Sequence, residues 1–185
     1  MKKLFLAIFI TGIAIPSFSQ QTGTFTDNRD GKTYKTITIG NQVWMAENLA
    51  FKVEDGCYAY DNNQDNVAIY GYLYKWESAQ QACPSGWRLP TLEEYKALLE
   101  SLGGIGSGSF QPLLPTGNSG FSALLGGWFP FVNMYKNLGG RAYFWTSTRV
   151  FLDAYSLVLD GKRKKATFLT TPKTHGHSVR CVKDK

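Results

Sequence analysis

The chain has 185 residues, 43% of them hydrophobic and 15% aromatic, and its formal net charge at pH 7 is +6. This length fits a single domain with a substantial core. Much of the basic excess lies in residues 162–165, directly after the turn-forming pair Asp160-Gly161, where a hairpin turn would hold it in solvent. The charge therefore argues against a nucleic-acid-binding protein.

The N-terminus has the features of an export signal. Lys2 and Lys3 precede an apolar run over 4–15, which is followed by Pro16 and small residues at a plausible cleavage site. The run is shorter than the about 20 residues that a membrane span needs, and no other stretch qualifies. We predict a signal peptide over 1–19, a short lead over 20–29, a domain over 30–185, and a location in the periplasm, at the cell surface or outside the cell.

The chain contains three cysteines, Cys57, Cys83 and Cys181. In an exported protein this number predicts one disulfide and one free thiol, and the sequence alone allows three pairings. Cys83 ends a predicted helix and Cys181 lies in the last strand-like stretch, so a bond between them would tie the end of the chain to its middle. Cys57 would then be either a small buried residue or a reactive thiol.

Strand and turn signals dominate the first part of the domain. The pair Gly40-Asn41 separates two β-forming runs, 34–39 and 42–45, which predicts a hairpin, and Asp30-Gly31 marks an earlier turn. Farther on, Asp and Asn residues cluster over 61–66. This cluster lacks the glycine and the closing glutamate of an EF-hand, so we expect surface turns rather than a calcium loop.

Two short helices are predicted on either side of an elbow at residues 84–90. Apolar residues at three- and four-residue steps predict the first helix, and its buried face consists of Leu73, Trp76, Ala79 and Cys83. Thr91 and Glu94 form a capping-box pattern that begins the second helix, which ends at Gly103.

The second half of the chain begins with a glycine- and serine-rich stretch over 103–120, which predicts a long loop. An aromatic stretch over 121–145 follows. Strand-like runs then occur over 142–149, 153–159, 165–169 and 178–182. The order of elements predicts an α+β fold in which two short helices pack on antiparallel sheets beside a long irregular loop region.

Catalytic patterns are sparse. His175 and His177 are the only histidines, and residues two apart in a strand share a face, so the pair could hold a metal if a third ligand joined it. The sequence has no Gly-x-Ser-x-Gly elbow, phosphate-binding glycine loop or His-Glu-x-x-His motif. We therefore expect no catalytic residue, metal or cofactor.

Seven blocks of the sequence, taken in order, resemble one family. They are 30–36 (DGKTYKT), 39–49 (IGNQVWMAENL), 70–74 (YGYLY), 83–91 (CPSGWRLPT), 120–124 (GFSAL), 144–148 (FWTST) and 178–184 (SVRCVKD). Together they look like the Fibrobacter succinogenes major paralogous domain family, and the resemblance covers nearly all of the chain from about Asp30 onward.

The resemblance implies a secreted or surface-associated bacterial protein with a C-type-lectin-like fold, related in architecture to formylglycine-generating and sulfatase-modifying domains. It also implies a disulfide between Cys83 and Cys181, because lectin-like folds join the cysteine at the helix end to one in the last strand. Members of the family often carry a second cysteine where this chain has Val67. The resemblance therefore leaves Cys57 without a partner.

Calcium-dependent lectins place oxygen ligands in the long loop and in the following strand. Here Leu113 follows Pro112, and Thr146 and Ser147 follow Trp145, so the carboxylate and amide oxygens that calcium prefers are missing. A calcium-dependent sugar site is not expected.

These features predict an exported, non-catalytic binding protein for a glycan or protein ligand. The candidate ligand-binding residues are Trp128, Phe129 and Tyr135, because dense aromatics lie beside a long loop, although the same aromatics could form the core. Two alternatives stay open. One is an enzyme that uses Cys57 or a metal on the histidine pair, and the other is a structural envelope or matrix protein.

Overall fold

The computed structural model describes residues 21–131 and 133–184, so the predicted signal peptide over 1–19 lies outside the described residues. The strands of this part are β1 (Thr22–Thr26), β2 (Thr33–Ile39), β3 (Gln42–Met45), β4 (Cys57–Tyr58), β5 (Leu73–Tyr74), β6 (Trp87–Arg88), β7 (Gly126–Phe131), β8 (Met134–Leu138), β9 (Arg141–Val150), β10 (Asp153–Asp160), β11 (Lys165–Pro172), β12 (His177–Ser178) and β13 (Val182–Lys183). The helices are α1 (Asp65–Tyr70), α2 (Trp76–Ala82), α3 (Leu92–Ser101) and α4 (Phe110–Leu113), and a 3-10 turn covers Tyr60–Asn62. Among these residues, no helix has the length and apolar composition needed to cross a membrane.

The first sheet has the strand order β1-β2-β3-β13-β6. The predicted hairpin at Gly40-Asn41 is confirmed, with Ile39 paired to Gln42 across the turn. The lead that we predicted over 20–29 contributes β1, which pairs with β2 in antiparallel register. The sheet therefore includes both the first and the last strand of the described chain.

The second sheet has the strand order β11-β10-β9-β12-β5-β4, and the β7–β8 hairpin joins it through β9. The three predicted strands over 142–149, 153–159 and 165–169 are confirmed as β9, β10 and β11. The basic residues 162–165 are exposed, as predicted, at the turn that joins β10 to β11, with Lys165 as the first residue of β11.

The prediction of one strand over 178–182 is wrong. The chain forms β12 in the second sheet and β13 in the first, and Val179, Arg180 and Cys181 lie fully buried where it crosses between them. The strand is interrupted because its hydrogen-bond partners change along the run. Ser178 pairs with Leu73 of the second sheet, whereas the carbonyls of Val179 and Cys181 accept hydrogen bonds from the Leu49 and Met45 N–H groups. Arg180 thus lies at the junction of the two sheets.

The elbow between α2 and α3 forms as predicted, and the capping box of Thr91 and Glu94 is confirmed. The predicted start of the first helix is wrong, because Leu73 belongs to β5 and α2 begins at Trp76. Leu73 pairs with Ser178 on one side and with Tyr58 on the other, so its backbone groups are used by neighbouring strands.

Two regions that we predicted as irregular contain short helices. The 103–120 stretch includes α4, and the Asp and Asn cluster over 61–66 forms the end of the 3-10 turn and the start of α1. The fold is therefore a mixed helix-and-sheet domain that is mostly sheet, with four short α-helices among the described residues rather than the two predicted.

Two buried hydrophobic clusters hold the sheets to the helices. In the first, the ring of Trp44 lies 5.0 Å from that of Tyr95 and 5.7 Å from that of Phe121. In the second, the buried Trp145 side chain donates its indole N–H to the Tyr74 carbonyl at 2.6 Å. Burial of a side chain such as Phe121 stabilises the fold by about 1.5–3 kcal/mol. Phe121, Phe129, Phe144 and Trp145 are all fully buried, so the aromatic stretch over 121–145 supplies part of the core.

Candidate functional site

A groove opens beside the first sheet. Its walls are the β1–β2 hairpin, helix α1 and the loop that precedes β7, and its volume is about 490 Å³. Thr36 and Ile37 of β2, Ala68 and Ile69 of α1, and Ser122 of the loop line it. This volume lies in the range of pockets that hold small molecules or single side chains of a partner.

The floor of the groove is a buried polar network centred on Arg180. Asn48 Oδ1 accepts hydrogen bonds from Arg180 Nε at 3.2 Å and from Nη2 at 2.6 Å, and Arg180 Nη1 donates to the Phe121 carbonyl. The Asn48 Nδ2 group donates to the Tyr70 carbonyl at 2.8 Å. One Asn–Arg pair therefore joins the segment after β3, the end of α1, the loop before β7 and the crossing between the sheets.

Gly71 permits the close approach on which this network depends. It follows α1 directly and has a φ of +71°, and a Cβ there would lie 2.5 Å from the Leu49 carbonyl oxygen and 2.9 Å from Asn48 Cβ. Any larger residue would push α1 away from Asn48. The glycine is needed both for its backbone conformation and for its lack of a side chain.

The groove carries more positive than negative charge. Burial lowers the pKa of Arg180 to about 10, so this fully buried side chain stays charged at neutral pH. Among the described residues no carboxylate forms a salt bridge with it. The negative charge of Glu47 lies farther away and only partly offsets the effect of burial on the pKa of Arg180. Lys32 and Lys35 also line the groove, and Glu47 carries the one carboxylate among its described lining residues.

The predicted ligand-binding residues Trp128, Phe129 and Tyr135 lie in a different place, on β7 and β8. Phe129 is fully buried, and its ring lies 5.0 Å from that of Tyr58. The same ring lies flat against Gly176, where a Cβ would approach it to 1.8 Å. Phe129 therefore offers no surface on which a ligand could stack.

Tyr135 and Trp128 are partly buried. The Tyr135 hydroxyl donates to Asn62 Oδ1 at 2.7 Å, and its ring lies 5.2 Å from that of Tyr60. The Trp128 ring lies 5.1 Å from that of Tyr143. The structure thus brings the predicted aromatics into one region but uses much of their ring surface for packing.

The two histidines of the possible metal site lie next to Trp128. His177 is fully buried, its ring stacks on Trp145 at 3.9 Å, and its Nδ1 atom lies 2.9 Å from Ser156 Oγ. Burial holds the pKa of His177 well below its ordinary value. Burial also lowers the pKa of His175, whose ring lies 6.1 Å from that of His177.

Among the described residues, no third ligand accompanies this pair. Within residues 21–131 and 133–184, no group of three or more His, Cys, Asp or Glu side chains is placed to hold a metal ion. Trp128 Nε1, His175 Nδ1 and His177 Nε2 are buried, and none of them forms a hydrogen bond within the described part of the chain. The geometry is that of neutral imidazoles packed in an aromatic cluster.

The disulfide between Cys83 and Cys181 is confirmed, and it joins residues 98 positions apart. Cys57 is free and partly buried, and its Sγ atom lies 3.5 Å from the Val53 carbonyl oxygen. Burial raises the pKa of this thiol. Because the thiolate is the nucleophile, the environment of Cys57 works against reactivity at neutral pH.

Together these features define a mixed helix-and-sheet domain in which the Cys83–Cys181 disulfide and the buried Asn48–Arg180 pair join segments far apart in the chain. The chain belongs to the Fibrobacter succinogenes major domain family, whose family model matches residues 37–183. Comparison with curated proteins and with solved structures gave no match. Four blocks of the resemblance meet at the floor of the groove, where they contribute Asn48, Tyr70, Phe121 and Arg180.

Sequence reasoning did not identify the groove. One signal was available, because Arg180 is a charged residue inside the apolar run Val179-Arg180-Cys181-Val182. A charge at such a position is seldom buried without hydrogen-bond partners. The partners of Arg180 come from segments 59 and 132 residues away, so no local pattern could have named them.

Proposed function

We propose that this protein is an exported, non-catalytic recognition protein that holds a glycan or protein ligand in the groove without calcium. The observation that carries the proposal is the groove itself, an open cavity of about 490 Å³ above a floor that Asn48 and Arg180 fix. Concave, largely preformed sites with a few well-placed polar groups are where proteins bind ligands.

The side chains around the groove support binding rather than catalysis. Among the described residues that line it there is one carboxylate, Glu47, and there is no histidine or cysteine. Glu47 Oε2 accepts a hydrogen bond from the Lys35 backbone N–H at 2.7 Å. General acid–base and nucleophilic catalysis need a paired or activated group, which this set does not provide.

Export and the finer description of the fold rest on the sequence. The charged and apolar pattern over 1–19 supports a signal peptide. The family resemblance supports a C-type-lectin-like architecture, and both the Cys83–Cys181 disulfide and the mixture of short helices with sheets are compatible with it. The residues after Pro112 and Trp145 support a ligand site that does not use calcium.

The enzyme alternative has less support. Cys57 has a raised pKa rather than the lowered one that an active thiol needs, and the His175–His177 pair lacks a third ligand among the described residues. A structural envelope or matrix role predicts no saturable ligand. Binding data therefore separate it from the recognition role.

Glycan and peptide arrays test the proposal, with the purified protein applied in calcium and again in chelator. Ala68 is exposed on α1 and lines the groove, so Ala68→Trp would place a large ring in the cavity. Thr170→Trp, at an exposed position of β11 outside the groove, is the matched control. We expect saturable binding that survives chelation, disappears in Ala68→Trp and persists in Thr170→Trp.

Binding that Ala68→Trp leaves unchanged would contradict the groove as the site. If that binding were also lost in a folded Trp128→Ala variant, the site would lie on the aromatic surface of β7 and β8 instead.

A further inference from the structure

We propose that the groove binds an acidic peptide segment, with an Asp or Glu carboxylate near Lys35 and an aliphatic side chain against α1. This inference rests on the proposed function and names the chemistry of the ligand. It follows from the charges, the rigidity of the floor and the composition of the walls.

The charges of the groove favour an anion. Lys32, Lys35 and Arg180 provide three positive side chains, and Glu47 provides the one negative side chain among the described lining residues. An excess of positive over negative side chains in a concave site attracts a ligand group of negative charge. A ligand carboxylate would bring the local charge closer to balance.

The buried guanidinium cannot leave the floor to find a counter-ion. The Asn48 oxygen and the Phe121 carbonyl hold it, and it also lies over the Phe121 ring with its central carbon 4.3 Å from the ring centroid. These partners are neutral, so they satisfy the N–H groups without cancelling the charge. Arg180 therefore acts as a fixed positive charge beneath the cavity.

The walls favour a peptide over a sugar. Their apolar members are aliphatic, among them Val67, Ile69 and Leu124, and no aromatic side chain lines the groove among the described residues. Ile69 is 58% exposed. A leucine, isoleucine or valine side chain gains free energy by burying its apolar surface against an aliphatic wall, whereas a sugar ring would place hydroxyl groups there without hydrogen-bond partners. An acidic residue next to an aliphatic one matches both features of the groove.

Titration calorimetry with N-acetyl-Leu-Glu-amide and N-acetyl-Leu-Gln-amide tests the inference, because the two peptides differ in a single charge. We expect the glutamate peptide to bind about tenfold more tightly at low salt, with the difference shrinking as salt screens it. Lys35→Gln should reduce the ratio to about threefold or less. Lys162→Gln removes the same charge from an exposed turn outside the groove and should leave the ratio unchanged.

The outcomes separate this inference from the proposed function. Equal binding of the two peptides, abolished for both by Ala68→Trp, overturns the inference and leaves the groove as a recognition site. Binding of digalacturonic acid that Ala68→Trp abolishes, with no binding of either peptide, also overturns it, in favour of an acidic glycan. If no peptide or glycan binds in a manner that Ala68→Trp abolishes, both proposals fail.

Discussion

Asn48→Ala is the most informative change in the floor of the groove. The substitution removes the oxygen that accepts two N–H groups of Arg180 and the amide that donates to the Tyr70 carbonyl. Arg180 is fully buried and has no carboxylate partner among the described residues. The change leaves Arg180 Nε and Nη2 without their acceptor, and each buried N–H group that loses its acceptor costs about 1–3 kcal/mol, with more expected when the donor is charged.

We therefore expect Asn48→Ala to lower the free energy of unfolding by about 4 kcal/mol, a large share of the roughly 5–15 kcal/mol typical of a domain. Asn48→Asp is the matched variant, since it keeps the Oδ1 acceptor and places a negative charge beside Arg180, while it loses the Nδ2 donor to the Tyr70 carbonyl and to Ser178 Oγ. It should cost less than half as much. Urea unfolding at pH 7, followed by tryptophan fluorescence, measures both values.

Two results would refute this reasoning. The first is a loss below about 1 kcal/mol for Asn48→Ala, which is the range of an ordinary exposed substitution. The second is a greater loss for Asn48→Asp than for Asn48→Ala. Either would mean that the network is not what holds the floor of the groove.

Three further changes test other parts of the structure. Gly176→Ala would place a Cβ 1.8 Å from the Phe129 ring and should cost about 1–3 kcal/mol of stability or more, measured by urea unfolding. The double change Cys83→Ser and Cys181→Ser removes a disulfide between residues 98 positions apart. It should lower the free energy of unfolding by about 4–5 kcal/mol on the chain-entropy model. Because burial lowers the pKa of His177, the unfolded chain takes up a proton first, so stability should fall as the pH drops below about 6.5.

Each of these predictions has a matched control. Gly140→Ala should be nearly neutral, because the nearest atom to its Cβ would lie 3.6 Å away. Cys57→Ser should change stability far less than loss of the disulfide, and equal losses would contradict the assignment of the cross-link. His177→Gln should flatten the acid side of the stability curve, and an unchanged slope would mean that another group is responsible.

The local features of the fold were predictable because their signals lie within a few residues of one another. The hairpin at Gly40-Asn41 needs two turn residues between β-forming runs. The Thr91–Glu94 capping box needs residues three apart. Both are present in the structure. The disulfide followed from the family resemblance and the number of cysteines.

The missed features depend on residues far apart in the chain. Leu73 fits a helical pattern, yet its strand partners Tyr58 and Ser178 decide its conformation. Burial of Phe129 depends on its contact with Gly176, 47 positions later in the chain. A hydrophobic periodicity reports only on neighbours a few residues apart, so it could not predict this contact. The groove combines the β1–β2 hairpin, α1 and the loop before β7, so its existence could be known only once these segments were placed together.

Mapping of backbone amide chemical shifts by NMR tests the central claim most directly. The tightest ligand from the glycan and peptide arrays would be titrated into isotope-labelled protein. If the groove is the recognition site, the largest shifts will occur at Lys35, Glu47 and Ser122, which line it. Shifts concentrated at Trp128 and Tyr135, with the groove amides unchanged, would contradict the claim.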